Sequence, residues 1–307
     1  RYGVITIKNF DKWIPDNEKL DSGKGKKIWL TNPNNKKTCG WFKYVKETNN
    51  KKDKTSKITT YENVAEKIAE LIATELRIRN AKIDIGTYNG NIGCLSYNIL
   101  NDGQTMAEGI SYISRKYPKY DARKEFDFES NQYYCLEIIL NSLETTELKT
   151  DFFKIMIFDF VIGNSDRHSN NWAIIKTKGN KEYFAPIYDN GSSLCALISE
   201  DAIGDYFGKD KCKLNALVDS KSRTLIRIDG KRKKIPTHKE VIQYLHDKYY
   251  QETKDFVDVV LLKLDENKIE KILQKVKEYI SHNRYRLLKK YLLEKMNILR
   301  KIYERGD

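Results

Sequence analysis

Residues Val161–Ile174 read VIGNSDRHSNNWAI, and they stand between a long apolar run and a stretch that closes with PIYDNGSS, Pro186–Ser193. Asp166, His168, Asn164, Asn170 and Asn171 crowd a point where the chain has just buried a helix. Each polar group there must find a partner or bear its desolvation cost. A core gains nothing from such a cluster, so its residues are expected to carry chemistry.

Working outward, the preceding run LKTDFFKIMIFDFVIGN is apolar nearly all round, the pattern of a central buried helix. Behind the cluster, NWAIIK and EYFAPIYD flank the turn TKGNK and read as a hairpin. The first hundred residues read as short strands broken by polar turns: GVITIKNF, KKIWLTN, GWFKYVKE, KIDIGTY and IGCLSYNIL. One helix interrupts them, YENVAEKIAELIATELRI, with Val64, Ile68, Leu71 and Ile72 on one face. From Thr105 the pattern turns helical, through MAEGISYISRKY and SNQYYCLEIILNSL. Three later helices have recognisable starts at Thr237, Asp265 and Ser281. The expected fold is therefore α+β and two-lobed, a small strand-rich lobe over residues 1–100 and a large helical lobe over 101–307.

Composition narrows the class. The chain has 307 residues, 40% hydrophobic and 32% charged, which suits an ordered, highly charged protein. No segment has the length and apolarity of a membrane span, and the start RYGVITIKNF lacks a signal-peptide pattern, so a cytoplasmic location is expected. Five scattered cysteines, without a CxxC pair, suggest neither a zinc site nor a disulfide framework. A formal net charge of +13 makes nucleic acid a partner to consider, although runs such as Lys231–Lys234 read first as solvated loops.

Spacing then points to a reaction. Asp166 and Asn171 are five residues apart, the interval of a protein-kinase catalytic loop in which Asp accepts the substrate hydroxyl proton and Asn holds magnesium. Asp189 follows the hairpin, where a second metal-binding carboxylate would sit, and hard oxygen ligands of this kind suit Mg2+ held jointly with nucleotide phosphates. Lys43 alternates with Phe42 and Tyr44 on a strand, and its charge asks for a partner that Glu66, in the following helix, can supply. Upstream, DSGKGKK places Ser22, Gly23, Lys24 and Gly25 where a glycine-rich backbone could approach phosphates.

With these residues in view, GNSDRHSNNWAI followed by APIYDNGSS resembles the HipA-type serine/threonine kinase family. The resemblance implies ATP and Mg2+ as cofactors, Asp166 as catalytic base, Asn171 and Asp189 as metal ligands, and Lys43 on the phosphates with Glu66 as its ion-pair partner. It also implies that His168 and Tyr188 lie close to the nucleotide, that Arg167 structures the loop, and that Leu95, Ser96 and Tyr97 meet adenine at the interlobe hinge. Ser22 resembles the serine that such kinases can autophosphorylate. A protein substrate bearing serine or threonine follows, with translation-related targets and an antitoxin partner suggested by the family. Full-length HipA toxins carry a further N-terminal subdomain that the residues before Lys43 are too few to hold. The chain is closer to the shorter, stand-alone members. Two other readings stay open: a phosphoinositide-type lipid kinase, with its related Asp-Arg-His loop, and a non-catalytic basic protein that binds nucleic acid.

Overall fold

In the computed structural model, which describes residues 3–19, 26–50 and 53–304, the expected strands of the first hundred residues assemble into one twisted sheet. Its members are β1 (Lys8–Asn9), β2 (Ile14–Asp16), β3 (Lys27–Asn32), β4 (Asn35–Tyr44), β7 (Ile83–Tyr88) and β8 (Asn91–Tyr97), ordered β1-β7-β8-β4-β3-β2. A small ribbon of β5 (Glu47–Asn49) and β6 (Lys57–Thr59) leads into helix α1 (Glu62–Glu75). GVITIKNF contributes only two residues to the sheet, paired in parallel with β7 at its edge.

The rest of the chain is mainly helical. It begins with β9 (Thr105–Glu108) and α2 (Gly109–Lys116), then a three-stranded miniature sheet of β10 (Tyr120–Asp121), β11 (Phe126–Asp127) and β12 (Gln132–Tyr133). Helices α3 (Leu136–Ser142) and α4 (Thr146–Ile162) follow, then the hairpin β13 (Ala173–Lys176) and β14 (Glu182–Phe184). The chain ends in α5 (Glu200–Ile203), α6 (Cys212–Val218), α7 (His238–Lys248), α8 (Tyr250–Lys263), α9 (Glu266–Gln274) and α10 (His282–Glu304). No helix among the described residues is long and apolar enough to cross a membrane.

Two stretches expected to be helical are partly strand. Thr105–Glu108 pairs antiparallel with β13, so ladder bonds from a distant segment override local helix preference. Gln132–Tyr133 pairs with β11, and an extended Cys135 delays the helix to Leu136. Elsewhere the caps agree with the sequence: the side chains of Thr237 and Asp265 accept from the Glu240 and Lys268 amides, and Ser281 Oγ accepts from the Arg284 amide.

Helix α4 is the axis of the core. Phe152, Ile157, Phe158, Phe160, Val161 and Ile162 are all fully buried. The same core continues into α1 through Val64, Ile68 and Ile72, so this helix is packed against the helical part of the chain as well as the sheet. Lys268 on α9 reaches Glu75 at 3.3 Å and strengthens that docking. Arg284 of α10, almost fully buried, donates to Glu200 and to the carbonyls of Cys195 and Ile198, and its guanidinium lies 3.7 Å from the Tyr61 ring. Because the Tyr61 amide in turn donates to the Ala196 carbonyl at 2.9 Å, the start of α1 is tied to the segment that follows Asp189.

Candidate active site

Strand register decides which side chains enter the cleft. Lys27 lies opposite Lys43, Trp29 opposite Trp41, Trp41 opposite Ser96 and Lys43 opposite Cys94. Side chains alternate along a strand, so these residues share one face while Phe42, Leu30 and Leu95 share the other, buried with Phe10 and Tyr88. Lys43 Nζ is 2.8 Å from Glu66 Oε1 and also contacts Asp189 Oδ1. Glu66 Oε2 accepts from the Asn190 amide at 3.2 Å, so one carboxylate spans the strand lysine and the segment after Asp189. Burial would raise the Asp189 pKa, but the Lys43 cation holds it down at about 2. The same contacts raise the Lys43 pKa against the effect of its own burial.

The polar loop is held from behind. Gly163 ends α4 at φ +67°, and a Cβ there would lie 1.8 Å from the Tyr291 hydroxyl, so the position demands glycine for both conformation and space. Asn164 caps the helix: its amide donates to the Asp159 carbonyl, its Nδ2 to Asp159 Oδ1, and its Oδ1 accepts from the Asp166 amide at 3.0 Å. Fully buried Arg167 makes five bonds, two to the Asp159 carboxylate and one each to Asn190 Oδ1, the Asn171 carbonyl and the Tyr188 carbonyl. Burial alone would lower its pKa, and Asp159 more than reverses this. His238 Nε2 is 2.8 Å from the Asn164 carbonyl; a carbonyl only accepts, so the ring proton is on Nε2. Burial and the Lys295 charge bring the His238 pKa down to about 3, which keeps that ring neutral.

What this scaffold presents to the cleft ranges from half-exposed Asp166 to buried Asn171. The Asp166 side chain is 50% exposed and lies 4.0 Å from His168 Nε2. His168 Nδ1 accepts from the Asn170 amide, which places the proton of a neutral ring on Nε2. Asn171 Nδ2 donates to the Asp166 carbonyl at 2.6 Å, so its Oδ1 remains as an acceptor. The Tyr188 hydroxyl donates to the Asn170 carbonyl, and burial raises its pKa.

Two adjoining cavities of about 210 and 290 Å³ share Lys27, Lys43, His168, Asn171 and Asp189. The smaller holds Asp166, Glu62 and Glu66; the larger is lined by Trp29, Trp41, Ser96, Tyr97, Ile99 and Tyr188. At the hinge the Tyr97 and Asn98 amides donate to Lys82 and Cys39 carbonyls, and the Leu100 amide to Asn98 Oδ1. Ile99 keeps its backbone N–H without a partner among the described residues.

The structure thus brings Lys43, Glu66, Asp166, His168, Asn171, Tyr188 and Asp189 to one cleft, with Ser96 and Tyr97 at its far end. The Leu95 side chain lies in the core on the opposite face of the sheet, and its backbone sits between β4 and β7; the open part of the hinge falls further along, at Ile99. Ser22, Gly23, Lys24 and Gly25 lie outside the described residues. Sequence reasoning missed Asp159, Asn190 and Trp41. Asp159 had a signal, a carboxylate inside an apolar helix that must find a cation; the roles of Asn190 and Trp41 depend on strand register and tertiary docking.

A two-lobed architecture with a strand lysine, a helical glutamate, an Asp–Asn loop and a following Asp in one cleft defines the chain as a kinase. The HipA-like C-terminal domain family matches residues 113–283, more than half of the sequence, and the chain belongs to that family. It is 26% identical over 232 residues to the serine/threonine-protein kinase CtkA of Helicobacter pylori strain J99, covering 72% of this chain and 67% of the relative. The crystal structure of the H. pylori proinflammatory kinase CtkA has the same fold, with a TM-score of 0.79 at 19% identity over 98% of this chain and 100% of the other. HipA in the Shewanella oneidensis MR-1 complex of HipA, HipB and operator DNA gives a TM-score of 0.45 at 12% identity, covering 93% and 66%.

Proposed function

We propose that this HipA-type serine/threonine kinase transfers the γ-phosphoryl group of magnesium-bound ATP to a seryl or threonyl hydroxyl of a protein. The observation that carries this reading is the position of half-exposed Asp166 in the cavity that also contains the Lys43–Glu66 pair, Asn171 and Asp189. The acceptor hydroxyl gives its proton to Asp166 as its oxygen bonds to the γ-phosphorus, and the bond to the ADP oxygen breaks. Lys43, kept in place by Glu66, neutralises phosphate charge. Among the described residues no group of three or more His, Cys, Asp or Glu could hold a metal. The oxygen donors of Asn171 and Asp189 are the groups that would hold Mg2+. Bound magnesium supplies charge neutralisation on the phosphates. The purine fits the larger cavity, against Trp41 and with the free Ile99 N–H as a donor.

The relative's name, serine/threonine-protein kinase, favours a protein acceptor over a lipid. A cleft with this many placed groups favours catalysis over passive binding of nucleic acid. The test is ATP-dependent phosphate transfer by the purified chain, onto itself and onto a cell lysate, beside Asp166→Ala. Labelled proteins that vanish with the variant are expected. Labelling that persists at the same rate in Asp166→Ala removes the assigned base, and absence of any labelled protein removes the protein-kinase reading. Intact-mass analysis of the same samples reports whether Ser22 or another residue gains phosphate.

A further inference from the structure

Once the cavity wall around Asp166 is assigned, one carboxylate is left over. Glu66 and Asp189 engage Lys43, Glu62 faces Lys46 at 3.6 Å, and Asp166 is the base. Glu125 lines the same cavity, is half-buried, and has no side-chain hydrogen bond or ion pair among the described residues. A partly desolvated carboxylate ordinarily has a partner.

Its backbone is tied to the catalytic loop. Glu125 sits at φ +49° between β10 and β11, a left-handed conformation uncommon for a residue with a side chain. Its carbonyl accepts from the Tyr134 amide at 2.8 Å. The fully buried Tyr134 side chain then reaches the catalytic loop, donating to the Arg167 carbonyl at 3.1 Å and accepting from Trp172 Nε1 at 2.9 Å. One side chain therefore connects the backbone of Glu125 to the residue next to Asp166. Such a link fits a group whose distance from the reacting hydroxyl matters.

No neighbouring cation makes an ion pair with Glu125 among the described residues, and Lys26, on the same cavity wall, lies over the Tyr44 ring at 4.6 Å. The Arg123 and Lys124 side chains are exposed, and Lys124 Nζ lies 5.2 Å from the Phe128 ring. Arg227 feels the charge of Glu125, yet it donates to the carbonyls of Lys233, Leu225 and Tyr134 and lies over the Tyr133 ring at 4.9 Å.

We propose that Glu125 is a specificity-determining residue on the acceptor side of the cleft, and that it binds a lysine or arginine side chain flanking the phosphorylated serine or threonine. This deepens the protein-kinase reading and rests on it. The test uses serine peptides identical except for Arg, Ala or Glu scanned across the positions on either side of the acceptor, with kcat/KM measured for the wild type, Glu125→Gln and Glu125→Arg. At one position the wild type is expected to favour Arg over Ala by about tenfold, the equivalent of about 1.4 kcal/mol for a charge pair in a partly dry cleft. Glu125→Gln should bring the ratio near one, and Glu125→Arg should turn the preference towards Glu. The ratio, unlike the absolute rate, does not move when part of a preparation is misfolded. Transfer with no Arg preference in the wild type, or an Arg preference that survives in Glu125→Gln, overturns the inference alone. No transfer to any peptide or protein overturns the kinase reading and the inference with it.

Discussion

The Arg167–Asp159 pair and the Lys43–Glu66–Asp189 cluster meet at the same cleft but differ in exposure and in how fully they are bonded. In the first, the side chains are 0% and 3% exposed and the guanidinium is saturated by five acceptors. In the second, Lys43 and Asp189 remain 20% and 28% exposed and face the cleft. A buried pair with every donor used has little reason to rearrange. A cluster with two partly exposed members can exchange one partner for another at smaller cost. The contrast separates groups that build the site from groups that operate in it, although both are ion pairs of similar length.

That contrast can be broken by mutation. Lys43→Met should lower phosphate transfer by about 10²-fold or more, since it removes the charge proposed to act on the phosphates, and should cost less stability than losing the fully buried pair, because Asp189 stays open to water. Equal damage to stability would erase the distinction. Arg167→Leu should do the opposite first: breaking the buried pair leaves Asp159 uncompensated and costs about 3–5 kcal/mol in urea unfolding. Activity would fall with it, because the carbonyls of Asn171 and Tyr188 lose their common donor. Asn164→Ala is a finer probe of the same scaffold. It should cost about 1–3 kcal/mol through the unpaired Asp166 amide, Asp159 Oδ1 still accepting from Arg167, with kcat falling more than the KM for ATP rises.

The smallest expected effect is a pH slope. His238 has its pKa depressed to about 3 by burial and by Lys295, against an ordinary 6.5. The unfolded chain therefore takes up a proton below pH 6.5 that the folded chain refuses, and the stability associated with this ring is lost progressively as pH falls from 6.5 towards 3. Replacing it with Gln should flatten that part of the stability profile in denaturant titrations. An unchanged slope would show that the ring is not held neutral behind the loop.

Much of the site was legible because its groups are close in sequence or carry strong periodic context. Asp166, Asn171 and the hairpin leading to Asp189 lie within a few dozen residues, and Lys43 stood out as a charge on an apolar strand. Glu66 was readable through the kinase-type pairing with a strand lysine, although it is one of four glutamates on the one helix among the strands. The hinge was legible only as a strand: its register against β4 and β7 decides that Leu95 turns into the core while Ser96 faces the cleft. A shift of one residue reverses every side chain, and nothing local to GCLSYN sets that register.

By itself the sequence determined the α+β class, the buried helix before the loop, the helix caps and the chemical types gathered for phosphoryl transfer, because these rest on periodicity and on short-range spacing. Only the tertiary structure decided that Asp159 and Asn190 converge on Arg167, that Trp41 walls the larger cavity, that His238 supports the Asn164 carbonyl from 74 residues away, and that Glu125 shares a cavity with Asp166. Those relations join segments with no common period. They form only when a packed core brings buried polar groups from distant segments within bonding reach.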